Sequence, residues 1–259
     1  MFDSPLVKAR ELKSRRRFDE ARAVLQQALQ SHPQDPKLRA SLADLFFREG
    51  QHHKALTLAG EILRDDPNDP RALVVMGNSL LARKKAAEAL EYFRLALDVA
   101  PTDYLWARTA RCHLALRQPQ AALEAVSAGE ALAPANPKLL RLRAECARML
   151  NDAAAEKQVF ERASRAAPAD PEAYFTFLYP LLADLPPRRA AITAARLRER
   201  AGQERNPHLI LFEAESLLGS RDPAGAIERL TKLLASEPGE DVRLAAERLL
   251  ARARERMPT

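Results

Sequence analysis

The sequence predicts an all-α protein in which a pair of helices recurs along the chain. The first observation is compositional: of 259 residues, 47% are apolar but only 5% are aromatic and 8 are glycine. Strands favour β-branched and aromatic side chains and their turns need glycine, so this composition argues against an all-β fold. The second observation is that proline recurs with a fixed period. The third is that particular residue types keep a fixed distance from those prolines.

Six prolines, which we call the marker prolines, set the period. They are Pro33, Pro67, Pro101, Pro134, Pro168 and Pro238. The first five are separated by 34, 34, 33 and 34 residues, and the last follows after 70. Proline disrupts the interior of a helix, so each marker proline is expected to lie just after a helix. A fixed period of this length indicates a structural repeat.

Small residues stand at two fixed distances before the marker prolines. Twenty-four residues before them are Ala9, Ala43, Gly77, Ala110, Ala144 and Ala214. Twelve residues before them, five of the six residues are alanine, namely Ala21, Ala55, Ala89, Ala122 and Ala226, and Glu156 departs from the pattern. Small side chains let two helices cross closely. Each period therefore predicts two antiparallel helices, with larger apolar residues eight and five positions before each marker proline filling the space to the next pair.

The best-matched period is similar to a known family. Residues 70–103 carry Leu73, Met76, Gly77, Leu80, Ala89, Phe93, Ala96 and Pro101. This pattern resembles the tetratricopeptide repeat family, whose signature is W-x2-L-G-x2-Y, then A-x3-F, then P. The resemblance implies a right-handed superhelical solenoid of about seven helix-turn-helix repeats. It also implies that the first helices line a concave groove that binds other proteins.

The period divides the chain into one array over residues 1–259. The predicted repeats are 2–35, 36–69, 70–102, 103–136, 137–170, a divergent repeat at 171–206, and 207–240, followed by a capping helix at 240–257. Pro180 and the pair Pro186-Pro187 interrupt the divergent sixth repeat, so its second helix is expected to start near Pro187 and to end at Gly202, after Ala201. The predicted cap places on one face Val242, Ala246, Leu249, Ala253 and Met257. A repeat array needs such a cap to cover its last apolar surface.

The candidate binding site is the groove that the resemblance implies. Three columns, 27, 23 and 20 residues before each marker proline, share one face of the first helices. The predicted groove residues are Asp44, Phe47, Val74, Asn78, Leu81, Tyr104, Arg111, Leu114, Arg141, Glu145 and Arg148. Apolar residues mixed with arginine favour an extended peptide or partner helix that bears acidic groups. The alternative is a solvated face, or one covered by the C-terminal helix of the chain itself.

The family includes a carboxylate clamp that grips an acidic C-terminal tail through lysine and asparagine. Only Asn78 matches that clamp in residue type, so its specificity is not carried over. The divergent repeat clusters Tyr174, Phe175, Phe177 and Tyr179. These aromatic residues leave two interpretations open, a homodimer through the sixth repeat or a buried core.

Nothing in the sequence points to catalysis, a cofactor or a metal. The G-x-S-x-G, P-loop, G-x-G-x-x-G and H-E-x-x-H motifs are absent. The pair His52-His53 lacks neighbouring ligands, and Cys112 and Cys146 are expected to be buried free thiols. We therefore expect a protein-binding scaffold or adaptor that is not an enzyme.

Two other functions stay open. A net charge of +6 and short basic runs permit an RNA-binding helical repeat, but stacking aromatics do not follow the period, which argues against nucleic acid. High alanine and arginine content is typical of bacteria with GC-rich genomes, where such arrays often present substrate to a transferase-type enzyme on the same chain. The sequence shows neither a secretory signal nor a membrane span, so the expected location is the cytoplasm.

Overall fold

A computed structural model describes residues 4–166, 174–199 and 206–257, and these ranges contain helices and no strand. The prediction of an all-α helical repeat fold is confirmed. The chain divides into two compact units, residues 1–142 and 143–259, and the division falls within the ninth helix. The prediction of a single array over the whole chain stays a prediction.

The first unit consists of helix pairs that follow the predicted period. Its helices are α1 (Pro5–Ser14), α2 (Phe18–Ser31), α3 (Pro36–Arg48), α4 (His52–Asp65), α5 (Pro70–Ala82), α6 (Ala86–Val99), α7 (Asp103–Ala115), α8 (Pro119–Leu132) and the start of α9 (Pro137–Met149). The odd-numbered helices are the first helices of each repeat and the even-numbered ones are the second. The marker prolines Pro33, Pro67, Pro101 and Pro134 each stand two residues after a second helix ends.

Local residues start the first helices. The side chain of Asp35 accepts hydrogen bonds from the backbone N–H groups of Lys37 (2.8 Å) and Leu38 (3.1 Å), and proline occupies the first helical position. Thr102 and Asn206 cap two further first helices in the same way. These caps satisfy N–H groups that have no partner inside the helix, so the marker prolines Pro33 and Pro101 are each followed at once by a new helix.

The turn inside every repeat except the sixth contains a residue in the left-handed region. In these six repeats it stands two residues after the first helix ends, and it is occupied by Arg16, Gly50, Lys84, Arg117, Asn151 and Arg221, with φ between 57° and 76°. The next N–H group then reaches back to a carbonyl in the last turn of the helix, as between Lys85 and Leu80 at 2.9 Å. This hydrogen bond reverses the chain tightly enough for the second helix to pack against the first.

The small columns form the contact between paired helices. Gly77 on α5 and Ala89 on α6 are buried around the ring of Phe93, which is fully buried. A Cβ atom added to Gly77 would lie 2.6 Å from the nearest ring carbon of Phe93. The ring therefore occupies the space that glycine leaves free, as the predicted close crossing requires.

The second unit contains one irregular repeat. From residue 143 it comprises the end of α9, then α10 (Ala153–Ala166), a π-helical segment (Tyr174–Leu178), α11 (Tyr179–Ala183), α12 (Pro187–Arg198), α13 (Pro207–Gly219), α14 (Pro223–Leu234) and α15 (Glu240–Glu255). Pro180 follows the π-helical segment because it has no N–H group to continue the regular hydrogen-bond ladder.

Several details of the second unit bear on the predictions. Helix α12 starts at Pro187 as expected, whereas Pro168, Ala201 and Gly202 lie outside the described residues. Helix α15 lies where the cap was expected and buries Ala246, Leu250 and Ala253. The helix ends at Glu255, so Met257 follows it and is exposed, and Leu250 takes its place on the packed face.

Candidate protein-interaction groove

The first helices of the first unit enclose a cavity of about 380 Å³. Its apolar lining comprises Leu6, Ala40, Val74, Val75 and Leu105, and its cationic lining comprises Arg10, Lys13, Lys37 and Arg71. Among the described residues, the only carboxylate in the lining is that of Asp44. The surface thus combines an apolar floor with an excess of positive charge.

The charges of this cavity are not balanced internally. Lys13 Nζ lies 2.8 Å from Asp44 Oδ2, and Arg48 Nε lies 3.0 Å from the same oxygen, so Asp44 is already paired. Within the described part of the chain, the side chains of Arg10, Lys37 and Arg71 form no hydrogen bond or ion pair. Their cationic groups are therefore available to an anionic ligand.

A second cavity of about 400 Å³ adjoins the first at Tyr104, which lines both. Its lining contains four cations, Arg108, Arg111, Lys138 and Arg141, together with Asp103, whose Oδ2 accepts a 2.6 Å hydrogen bond from Asn136. The guanidinium carbon of Arg108 lies 5.0 Å from the centre of the Tyr104 ring, a cation–π contact. We call the two cavities together the first-helix groove.

Tyr104 and Asn78 hold each other at the junction of the two cavities. The amide nitrogen of Asn78 donates to the Tyr104 hydroxyl at 2.8 Å, and that hydroxyl lies 3.2 Å from the amide oxygen. Asn78 is buried, whereas Tyr104 is 37% exposed. The Asn78 amide is therefore occupied by a neighbouring side chain, and Tyr104 presents its ring to the groove.

The structure places the predicted groove residues in three groups. Asp44, Val74, Tyr104, Arg111 and Arg141 line the two cavities. The other predicted residues of the first unit line neither cavity: Phe47 and Leu81 pack on core clusters, and Asn78 and Leu114 are buried. Glu145 and Arg148 belong to the second unit, where Arg148 pairs with Glu156 at 3.5 Å and Asp184 at 3.8 Å.

The groove includes a column of which the sequence predicted only Tyr104. The second residue of four first helices lines the groove: Lys37, Arg71, Tyr104 and Lys138. These residues stand three positions before a predicted column, so they lie on the same helix face one turn nearer the N-terminus. The signal was present in the sequence as proline or aspartate followed by a large side chain at the start of each first helix.

The aromatic residues of the sixth repeat form a packed cluster in the second unit. Tyr174 is buried, and its ring centre lies 5.2 Å from that of Phe175 and 6.3 Å from that of Tyr179. Phe175 is 51% exposed and Tyr179 is 43% exposed. One ring is thus in the core and two are at the surface, and the homodimer stays a prediction.

The two cysteines are buried free thiols, as expected. Burial raises the pKa of Cys112 to about 12 and that of Cys146 to about 11. Neither thiol is activated for nucleophilic chemistry, because the reactive species is the thiolate. Within the described ranges, no three His, Cys, Asp or Glu side chains are close enough together to hold a metal ion, and no helix is long and apolar enough to span a membrane.

Comparison with known proteins bears directly on this repeated architecture. Sequence models of the tetratricopeptide repeat match residues 12–76, 70–103 and 108–171. These ranges together cover more than half of the chain. The chain belongs to the tetratricopeptide repeat family. A search of curated protein sequences finds no match.

Solved structures of this family share the fold. A thermophilic tetratricopeptide repeat protein of Thermus thermophilus is 20% identical, with 69% of this chain and 97% of that chain covered and a TM-score of 0.59. A tetratricopeptide repeat protein of Parabacteroides merdae is 14% identical, with 96% and 97% covered and a TM-score of 0.57. MamA of Desulfovibrio magneticus RS-1 is 19% identical, with 62% and 94% covered and a TM-score of 0.52.

Family membership indicates the general role of the chain. Tetratricopeptide repeats support a protein-interaction scaffold, and proteins built from them are generally non-enzymatic. Within the described part of the first unit, the first-helix groove contains four cations that form no hydrogen bond or ion pair, Arg10, Lys37, Arg71 and Arg111.

Proposed function

We propose that this tetratricopeptide repeat protein is a non-catalytic adaptor whose first-helix groove binds an extended segment or helix of another protein that bears acidic groups. The observation that carries the proposal is the set of unpaired cations above an apolar floor. Arg10, Lys37 and Arg71 border the first cavity, and Arg111 borders the second.

The positive charge of the groove favours a partner with acidic groups. Guanidinium groups form strong, charge-assisted hydrogen bonds with carboxylates, and two parallel bonds fix the orientation of the ligand. Cations spread over several first helices suit a ligand with several acidic groups rather than one terminal carboxylate. Long-range attraction between such groups is screened by salt, so binding should weaken as ionic strength rises.

The apolar floor of the groove favours a partner that also carries apolar side chains. Val74, Val75 and Leu105 lie in the first cavity among the cations, so an aliphatic or aromatic side chain of the partner can leave water there. Burial of such an anchor in a pocket is the usual source of affinity in helical-groove recognition. The expected ligand therefore alternates acidic and apolar residues.

The Tyr104–Asn78 contact separates this proposal from the carboxylate clamp of the family. Asn78 matches the clamp in type, but its amide is already held by Tyr104. Val74 and Arg111 occupy clamp positions without the lysine or asparagine that a clamp requires. Recognition here rests on arginine and the apolar floor.

Selection from a random peptide library displayed on phage tests the proposal. We expect the full chain to enrich peptides rich in Asp and Glu that also carry aliphatic residues. The double variant Arg71→Glu, Arg111→Glu changes one unpaired cation in each cavity, and the affinity for the enriched peptides should fall at least tenfold. Arg94→Glu is the matched control, since Arg94 is exposed on the second helix α6 and lines neither cavity.

Three results would contradict the proposal. Enrichment of neutral or basic peptides would refute the charge argument, and unchanged affinity of the double variant would refute the location. A fluorescent RNA of random sequence serves as the cross-class control. Tight RNA binding that is lost on addition of salt, without any peptide enrichment, would assign the cations to nucleic-acid phosphates instead.

A second candidate function is self-association through the second unit. Phe175 and Tyr179 expose aromatic rings that already contact each other, with 5.7 Å between their centres. We propose that the partner for this aromatic surface is a second copy of the chain, since apolar rings presented side by side can pack against the same surface of another copy. Sedimentation of Phe175→Ser should show less dimer than the unmodified chain, and a strict monomer at high concentration would refute the idea.

A further inference from the structure

The second unit contains a separate cleft of about 620 Å³. Helices α12, α13 and α14 border it, together with Ser236, Pro238 and Gly239. Three cationic side chains, Arg198, Arg229 and Lys232, line its wall. This cleft has no part in the first-helix groove, which lies entirely in the first unit.

A buried carboxylate fixes two of these cations. Glu213 on α13 is 2% exposed. Its Oε2 accepts a 2.9 Å hydrogen bond from Arg198 Nε, and its Oε1 accepts a 2.8 Å hydrogen bond from Arg229 Nε. Because the two arginines each bind one oxygen of the same carboxylate, Glu213 holds both guanidinium groups near one point and limits the freedom that arginine has at a surface.

The hydrogen bonds to Glu213 use only some of the N–H donors of the two arginines. Each arginine gives the carboxylate only its Nε–H group. The Nη atoms of Arg198 have no partner among the described residues, and Arg229 uses only Nη1, which lies 2.9 Å from Glu228 Oε1. A guanidinium has five N–H groups, so several donors stay free on two side chains that line the cleft.

The charges around the cleft favour an anion. Lys232 is paired with Glu228 at 2.7 Å, and the hydrogen bond to Glu213 raises the pKa of Arg229. The three cations face two carboxylates, Glu213 and Glu228, which leaves an excess positive charge. Pro207 at the start of α13 also lines the cleft, and the N-terminus of a helix carries partial positive charge.

We propose that this cleft binds a phosphate group, with the free N–H groups of Arg198 and Arg229 as its ligands and Glu213 as the residue that positions them. Two adjacent guanidiniums offer donors to more than two oxygens, which suits the three terminal oxygens and near −2 charge of a phosphate monoester better than a planar carboxylate. The phosphate belongs either to free inorganic phosphate or to a phosphorylated side chain of a partner.

Titration of the full chain by NMR tests this site. The probes are inorganic phosphate, a short phosphoserine peptide, the same peptide without phosphate, and acetate, all at constant ionic strength. We expect saturable shifts of backbone amides beside the cleft, including those of Ser236 and Gly239, with either phosphate-bearing probe. Tighter binding of the phosphopeptide would identify a side chain as the source, and equal binding would identify free phosphate.

Substitutions test whether phosphate binding needs the guanidinium groups of the two arginines or only a positive charge in the cleft. Arg198→Lys and Arg229→Lys keep the charge but remove the guanidinium donors, and each should weaken phosphate binding at least tenfold. Arg248→Lys is the matched control and should change the affinity less than threefold, because Arg248 is exposed on α15 and does not line the cleft. The melting temperature of each variant shows whether it is folded, and mapping on the unmodified chain gives a readout that needs no variant.

Three results would overturn this inference. These are shifts spread over the whole chain, acetate binding as tight as phosphate binding, or folded arginine variants with unchanged affinity. Any of them would leave Arg198 and Arg229 as structural partners of Glu213. The outcome is independent of peptide binding in the first unit.

Discussion

Replacement of Gly77 by alanine tests how closely the paired helices α5 and α6 pack, because it adds one methyl group at their contact. The added Cβ atom would lie 2.6, 2.8 and 2.9 Å from three ring carbons of Phe93, which is fully buried. Overpacking of this kind costs about 1–3 kcal/mol. Alanine also improves helix propensity by about 1 kcal/mol relative to glycine. The net expectation for Gly77→Ala is a loss of stability of up to about 2 kcal/mol.

Gly60 provides the matched control. It lies within α4, and a Cβ atom there would meet nothing within 4 Å. Gly60→Ala should therefore keep only the propensity gain and stabilise the protein by about 1 kcal/mol. The two variants should differ by about 1–3 kcal/mol, which is the steric term alone.

Urea unfolding followed by far-ultraviolet circular dichroism measures both changes. Because repeat arrays can unfold in steps, amide hydrogen exchange in α5 and α6 gives the local stability. The double variant Gly77→Ala, Phe93→Leu should show a favourable interaction energy, since the smaller side chain makes room for the methyl group. Equal stabilisation by both glycine substitutions would refute the close crossing of α5 and α6.

Three further predictions concern local features. Lys84→Gly and Arg117→Gly should each stabilise the protein by about 1 kcal/mol, because both residues adopt positive φ, which glycine adopts without strain. Urea unfolding measures this change, and destabilisation would contradict the prediction. Asp35→Ala should lower the stability by about 1 kcal/mol through loss of the helix cap, and an unchanged urea midpoint would argue against the cap. Cys112 and Cys146 should resist a thiol reagent at pH 8 in the native protein and react after unfolding, since burial raises the pKa of both thiols. Rapid labelling of the native protein would show instead that the two thiols are accessible.

The repeats could be predicted from the sequence because local chemistry determines their ends. Pro67 stands two residues after α4, and Asp69 caps α5 through the backbone N–H group of Ala72 at 2.8 Å. Both signals lie within a few residues of the boundary that they set. The sixth repeat was harder, because Pro180 is accommodated by a π-helical segment, and no residue pattern specified that solution.

The site was predicted less completely than the fold. Columns 27 and 23 residues before each marker proline supplied Val74, Asp44 and Arg111, all of which line the first-helix groove. The column 20 residues before supplied Leu81, which packs on the core, because the groove lies one turn nearer the N-termini of the first helices. The pairing of Glu213 with two arginines depends on three helices meeting, so spacing in one chain could not reveal it.

The most direct test of the account is the location at which a selected acidic peptide contacts the chain. Amide shifts or hydrogen-exchange protection on addition of the peptide should concentrate in the first helices α1, α3, α5 and α7, with Val74 and Tyr104 among the residues most affected. Changes concentrated instead in the second helices α2, α4, α6 and α8 would contradict the proposed groove.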